Sequence, residues 1–353
     1  MRVLLDSCKN EAEMNLIGRI TLNSACIQIV KDRLTLQDHL KKEPDILKHE
    51  ISKPIFILGL PRTGTTLLQN LFACDPNIRP VYYWEQAKIG PPPTPETLHN
   101  NPILSRSEKE IARFKWVAPD FMAAHEVNPR GVEECNGLMN REFVSILHFM
   151  FRNVPSYMQW LGSAEMTEMY QCHKLQLQYF GYHFPGKRWM LKAPAHLAFL
   201  RELLTVYPDA LIVQAHRDPI HSVPSMCSLA TISRSLFSDT TDLDLIPDQW
   251  TRLMVNTVDR SITFRENTDN DQFLDVPYKE LIQDPVGTVK RIYGWADMEM
   301  SEPSEESMTT WLEQSEQRRK KNPHQYSLEQ FGLTDRAIQK KFKNYYDQYG
   351  EFI

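Results

Sequence analysis

Residues Leu58 to Leu67, LGLPRTGTTL, have the types and order of a phosphate-binding loop. The apolar run PIFI precedes them and LQNLF follows. Gly59 and Gly64 bracket four residues, and a hydroxyl pair, Thr65 and Thr66, closes the turn. The lysine such a loop usually carries after its second glycine is missing. Thr65 stands there, and Arg62 puts a basic group inside the loop instead. A helix N-terminus presents unpaired N–H groups and the positive end of its dipole, so it attracts phosphate. Gly64 lets the backbone approach an anion closely. Thr65 and Thr66 add hydroxyl donors. Arg62 adds a permanent charge that can hold phosphate or sulfonate oxygens through two donors.

A second basic group follows another apolar run. ALIVQAHRDPIHSVPSMCSL supplies Arg217 and, eight residues later, Ser225. An arginine leaving a strand can point a planar donor fork at a phosphate. Ser225, about 12 Å further on at ~1.5 Å per helical residue, reaches the same ligand only if that ligand lies across the helix start. Pro224 is expected to kink the helix. The competing reading is a local Arg217–Asp218 pair at a helix cap. Three side chains could serve proton transfer or charge stabilisation. Glu85, in VYYWEQ, is flanked by aromatics that would desolvate it and raise its pKa. Lys192 and His196 lie in LKAPAHL. Glu133 and Glu134, in GVEECNGL, are expected to open a helix and to favour its N-terminus through the dipole.

These groups need elements to carry them. The pattern predicts strands over 53–60, 188–192, 210–214 and 272–276, each short and apolar. Helices are expected over 65–74, 103–117, 131–150, 196–207, 250–266 and 285–295, with one or two amphipathic helices over 11–42 and another near the C-terminus. Asp218-Pro219 is a helix start, with a capping carboxylate and proline at the first position. Residues 90–102 form a proline-rich loop, and 234–247 a polar, mobile insertion. Short apolar strands alternating with helices give an α/β fold of P-loop type. It is a three-layer sandwich, a central parallel sheet with helices on both faces. Ligands of such sheets bind at the strand C-termini, where LPRTGTT, LKAPAH and AHRDP all fall.

The loop PRTGTTLL together with AHRDPIHSVPS resembles the sulfotransferases that use 3′-phosphoadenosine 5′-phosphosulfate (PAPS), in their soluble, bacterial-type branch. The resemblance covers most of residues 53–346. It implies that Arg62, Thr63, Gly64, Thr65, Thr66 and Leu67 wrap the 5′-phosphosulfate, with Arg62 near the bridging oxygen and the sulfonate. Arg217 and Ser225 would hold the 3′-phosphate, and Tyr278 would stand near the adenine region. Arg318, Arg319 and Lys320 precede NPHQYSLEQFGL, which is similar to the family's C-terminal loop closing over that phosphate. A glutamate at about the distance of Glu85 is the general base in several branches. Others use a histidine two residues after a strand lysine; here Pro194 takes that place and His196 comes four after Lys192. The base is therefore either Glu85 or His196, and Lys192 could contact the sulfonate. The resemblance implies one domain over 1–353: an N-terminal helical extension (1–52), a core (53–300) with a helical acceptor-binding insertion at about 85–185, and a closing loop and helix (301–353).

The implied reaction moves a sulfonate to a hydroxyl or amine of a small acceptor, releases 3′,5′-ADP and requires no metal. Aromatic residues within 78–180, among them Trp84, Phe114, Trp116, Phe121, Phe143, Phe149, Tyr157 and Trp160, would suit an apolar or aromatic acceptor. A P-loop small-molecule kinase and an inactive nucleotide-binding interaction protein are the alternatives. The 353 residues carry a net charge of −5, which argues against a nucleic-acid partner. No apolar run is long enough for a membrane span. Six cysteines without CxxC spacing suggest neither zinc nor disulfides and point to the cytoplasm. The terminal helices could pack on the core or on a second copy, so a homodimer stays open.

Overall fold

A computed structural model describes residues 1–240, 244–268, 271–319 and 326–353. The chain divides into two compact units.

The α/β unit comprises Ser52–Pro80, Gly186–Ser228 and Asp244–Ile353. Its sheet has five strands: β1 (Ile55–Gly59), β2 (Ile78–Pro80), β3 (Arg188–Lys192), β4 (Leu211–His216) and β5 (Phe273–Pro277). The order is β2-β3-β1-β4-β5, and every pairing is parallel. All five residues of β1 are buried, as a central parallel strand requires. Alternate residues of β1 serve opposite faces. Ile55 and Ile57 pack with Leu68, Leu71 and Phe72 of the Thr65–Phe72 helix. Phe56 meets Tyr207 and His196. Leu68 and Leu71, fully buried, stabilise by ~1.5–3 kcal/mol each. From β1 the chain runs on to the β3 side, and later returns to β4 on the other side. The end of β1 is thus the point where strand order reverses and where such sheets leave a crevice.

Two expectations here need correction. The helix predicted over 196–207 is interrupted: a 3₁₀ turn, Pro194–Ala198, and the Leu200–Val206 helix meet at Phe199, whose φ of −133° is not helical. The C-terminal helix is likewise two, Asp335–Lys341 and Lys343–Tyr349, joined at Phe342. Strand β2 was not anticipated; three residues ending in proline carry no periodic signal, and an edge position tolerates that proline.

The helical unit comprises Met1–Ile51, Val81–Pro185 and Leu229–Leu243. Its N-terminal part is two helices, Arg2–Glu11 and Leu16–Lys42. The helix predicted over 131–150 is instead two short ones, Asn136–Asn140 and Leu147–Phe151. Between them Phe143 takes a left-handed φ of 58°, which no helix continues through. The buried Tyr157 hydroxyl satisfies the freed backbone, accepting from the Ser145 N–H (2.9 Å) and donating to the Phe143 carbonyl (3.0 Å). Of the polar stretch predicted as a mobile insertion, residues 241–243 lie outside the described residues, and Phe237 and Ser238 are bonded to the N-terminal segment. The Asn15 N–H donates to the Phe237 carbonyl at 3.0 Å, and Ser238 Oγ donates to Ala12 O at 2.9 Å. Trp84, Phe121, Phe143, Phe149 and Tyr157 are buried, whereas Trp116 is 86% exposed.

Candidate active site

The loop after β1 is shaped by three unusual backbone angles. Gly59 has φ 146°, Arg62 70° and Gly64 88°. A Cβ on Gly59 would lie 2.4 Å from the Ala215 carbonyl oxygen of β4, so only glycine lets β1 and β4 pair to their ends. Thr63 is buried and its hydroxyl donates to the Leu60 carbonyl at 2.7 Å, closing the turn from inside. The Gly64 carbonyl then accepts from Leu67 and Leu68, and the helix begins. Its first turn contains no acidic residue. Thr65 is buried, while Arg62 and Thr66 face solvent. Successive N–H groups around left-handed residues and a helix start form a concavity for an anion.

The missing lysine is supplied in space rather than in sequence. Lys192 ends β3 and is in register with Ile57 of β1. Its Nζ lies 3.5 Å from Thr66 Oγ1, although the residue is only 2% exposed. A buried ammonium is thereby delivered to the loop from the neighbouring strand.

Arg217 leaves β4 and donates from its guanidinium to the Arg62 carbonyl at 2.8 Å. Its Cζ lies 4.2 Å from the centre of the Tyr278 ring, a close cation–π contact. A Cβ on Gly64 would come within 3.2 Å of the same ring, so Tyr278 packs against the loop itself. Arg62, Gly64, Arg217 and Tyr278 therefore form one cluster. Asp218 is not Arg217's partner; it caps the following helix by accepting from the Ile220 N–H at 3.0 Å. Ser225 is buried within the Pro219–Ser235 helix, one residue after Pro224. Among the described residues no hydrogen bond joins Ser225 to this cluster.

A charged network behind Arg217 escaped the sequence reading. Asp275 of β5 accepts two hydrogen bonds from Arg265, at 2.7 and 2.8 Å, and lies 2.7 Å from His216 Nε2. Burial pushes the Asp275 carboxyl up, but the hydrogen bonds from Arg265 and His216 outweigh it and hold it at about 2. Burial pulls His216 down against the pull of Asp275, leaving the imidazole neutral with Arg265 as the cation. A single aspartate in FLDVP gives no such signal; it arises only when β4 and β5 lie side by side.

The two candidate bases are placed differently. Glu85 belongs to the helical unit and is fully buried in the first turn of the Tyr83–Ala87 helix. Its carboxylate accepts the Tyr82 N–H at 2.9 Å, so it caps its own helix. Arg141, also buried, donates to the carbonyls of Glu85 and Gln86 at 2.9 Å each. His196 belongs to the α/β unit, is fully buried and meets the Phe56 ring edge-on at 5.1 Å. Glu133 and Glu134 do not open a helix. Glu133 donates its N–H to the Val81 carbonyl in an extended segment, and the next helix starts at Asn136. Arg318 and Arg319 end the Glu302–Arg319 helix, and Lys320 lies outside the described residues.

Residues 54–302 match the family model of the sulfotransferase family. The omega-hydroxy-beta-dihydromenaquinone-9 sulfotransferase Stf3 of Mycobacterium bovis is 26% identical over 258 residues, 68% of this chain. The protein of that name from Mycobacterium tuberculosis matches equally. The match spans only 61% of the length of these curated relatives. The crystal structure of sulfotransferase STF1 from Mycobacterium tuberculosis superposes with a TM-score of 0.86 at 32% identity, over 97% of this chain and 90% of that one. Sulfotransferase STF9 from Mycobacterium avium gives 0.83 at 27% identity, over 98% and 89%.

Proposed function

The chain belongs to the sulfotransferase family, and on that premise we propose that it acts as one sulfotransferase domain, moving a sulfonate from PAPS to a hydroxyl or amine of a small acceptor by in-line displacement. The observation that carries the proposal is the joining of two basic sites into one cluster: Lys192 beside Thr66, and Arg217 bonded to the carbonyl of Arg62. The site suits a doubly anionic ligand. Gly64 keeps the loop backbone bare, no acid stands in the first helical turn, and cations come from the loop, β3 and β4.

PAPS supplies the activated sulfonate and leaves as 3′,5′-ADP. The N–H groups and hydroxyls of Thr65 and Thr66 bind its 5′ end. Arg62 and Lys192 stabilise charge that develops on the bridging oxygen, where preorganised donors act most strongly. Arg217, with Ser225, binds the 3′-phosphate, and Tyr278 lines the nucleotide side. Glu85 or His196 takes the acceptor proton. The relatives named for an omega-hydroxy-beta-dihydromenaquinone make an apolar alcohol the first acceptor class to test. All six cysteines are free, which supports the cytoplasm as the compartment. Among the described residues no helix is long and apolar enough to cross a membrane.

Thermal shift with 3′,5′-ADP, PAPS, and ATP with magnesium tests the reading. Stabilisation by the first two supports it. Stabilisation by ATP with magnesium alone favours the kinase alternative. Binding of 3′,5′-ADP without sulfonation of any compound in a broad hydroxyl library favours an inactive binding protein.

A further inference from the structure

The last eleven residues grip the exit of β4. In the Lys343–Tyr349 helix, Tyr345 is buried and its hydroxyl lies 3.0 Å from His216 Nδ1. Tyr346 donates to Asp218 Oδ1 at 2.5 Å. His216 and Asp218, the residues on either side of Arg217, are thus each held by a tyrosine hydroxyl from one helical turn. The rings of Tyr349 and Phe352 pack on His216, with centroids at 4.4 and 5.4 Å. Lys279, next to Tyr278, donates to the Ile353 carbonyl at 2.7 Å. Both members of the Arg217–Tyr278 pair therefore adjoin residues fixed by the C-terminus.

The hydrogen bonds form a directed chain. With His216 neutral, its Nε2–H donates to Asp275 and its Nδ1 accepts the Tyr345 hydroxyl proton. Arg265 anchors the far end through Asp275. Such a chain is mutually polarised and fixes the backbone from which the Arg217 side chain departs. Bidentate recognition of a phosphate needs that departure point held to within a fraction of an ångström.

We infer that Tyr345 and Tyr346 are positioning residues for the 3′-phosphate: they hold the β4 exit so that Arg217 stays between the loop carbonyl and the Tyr278 ring. The inference rests on the proposed role of Arg217. The segment lies beyond residue 302, where the family match ends, so nothing in that match assigns it a task.

The test compares two ligands that differ only by the 3′-phosphate, 3′,5′-ADP and 5′-AMP. Affinities are measured calorimetrically on the full chain for wild type, Tyr345→Phe, Tyr346→Phe, the double variant and Arg217→Ala. Arg217→Ala is expected to abolish most of the preference for 3′,5′-ADP. The double variant is expected to lose about three- to tenfold of it, the range of one or two perturbed hydrogen bonds, with 5′-AMP affinity unchanged. If Tyr345→Phe does not fold, Tyr346→Phe, whose side chain is half-buried, carries the test alone. Loss of affinity for both ligands to the same degree, or wild-type preference in the tyrosine variants beside a lost preference in Arg217→Ala, overturns the positioning role alone. Wild-type preference in Arg217→Ala overturns the phosphate reading and the positioning role together.

Discussion

Two turns that open helices are built in opposite ways. The turn before the Thr65–Phe72 helix is made by its own residues: two glycines and Arg62 at positive φ, with Thr63 bonded to Leu60. The turn before the Tyr83–Ala87 helix also has a local bond, Tyr82 to Glu85, but its burial comes from afar. Arg141, 56 positions later in the chain, reaches the Glu85 carbonyl, and Gln176 in turn holds Arg141 at 2.7 Å. A site formed by backbone angles declares itself in residue types. A site formed by burial of one carboxylate does not, because the residues that bury it can be anything of the right size elsewhere in the chain.

The sharpest way to break the contrast is Gly59→Val. Any Cβ there collides with backbone, and φ is unfavourable for an L residue. We expect a loss above ~4 kcal/mol, seen as failed expression or a Tm drop exceeding about 8 °C. A well-folded Gly59→Val protein would show that the turn is less locally determined than its angles imply. Arg62→Ala should lower kcat/KM by about 10²–10³, the effect of deleting one preorganised charge donor, with Tm unchanged because the side chain is exposed. A matching fall in Tm would make Arg62 structural.

On the other side of the contrast stands Glu85→Gln. A glutamine accepts the same Tyr82 N–H, so the helix cap survives. If Glu85 is the base, turnover falls by about 10²–10⁴ at constant Tm. Full turnover there, with turnover lost in His196→Ala, transfers the role to His196. A smaller, pH-dependent effect is expected at Asp275. Its folded pKa of about 2 lies below the ~3.9 of an unfolded aspartate. The stabilisation is therefore present above about pH 4 and is lost as pH falls towards 2, amounting to ~2–3 kcal/mol. Asp275→Asn should remove that limb from a plot of denaturation midpoint against pH; an unaltered limb assigns acid sensitivity elsewhere. Thr63→Val should cost least, about 1 kcal/mol for the lost bond to Leu60. A neutral result in chemical denaturation would mean that the glycines alone set the turn.

The same distinction explains what could be read beforehand. β1, β3 and β4 were legible because parallel strands buried on both faces are largely apolar runs; β5, at the edge, still showed as a short segment rich in apolar residues. The α/β class and its family followed, since the loop and AHRDP each sit on such a run. The helix over 131–150 was misread because its periodicity continues through Phe143, and nothing local marks the left-handed angle there. Lys192 stood out in the sequence, but its position beside Thr66 comes from strand register, which no spacing within LKAPAHL specifies. Asp275 and Tyr345 were passed over because their partners lie 59 and 129 positions away.

The central strand also sets an order of events during synthesis. Ile55 pairs with Met190 on one side and Leu211 on the other, and with nothing nearer in sequence. Contacts that distant are slow to form and leave apolar segments waiting. The loop after β1, though encoded in the first fifth of the chain, cannot acquire its two flanking strands until more than half of the protein has been made. Until then PIFILG is an unpaired apolar segment, and its protection in the nascent chain falls to whatever holds it apart from its neighbours.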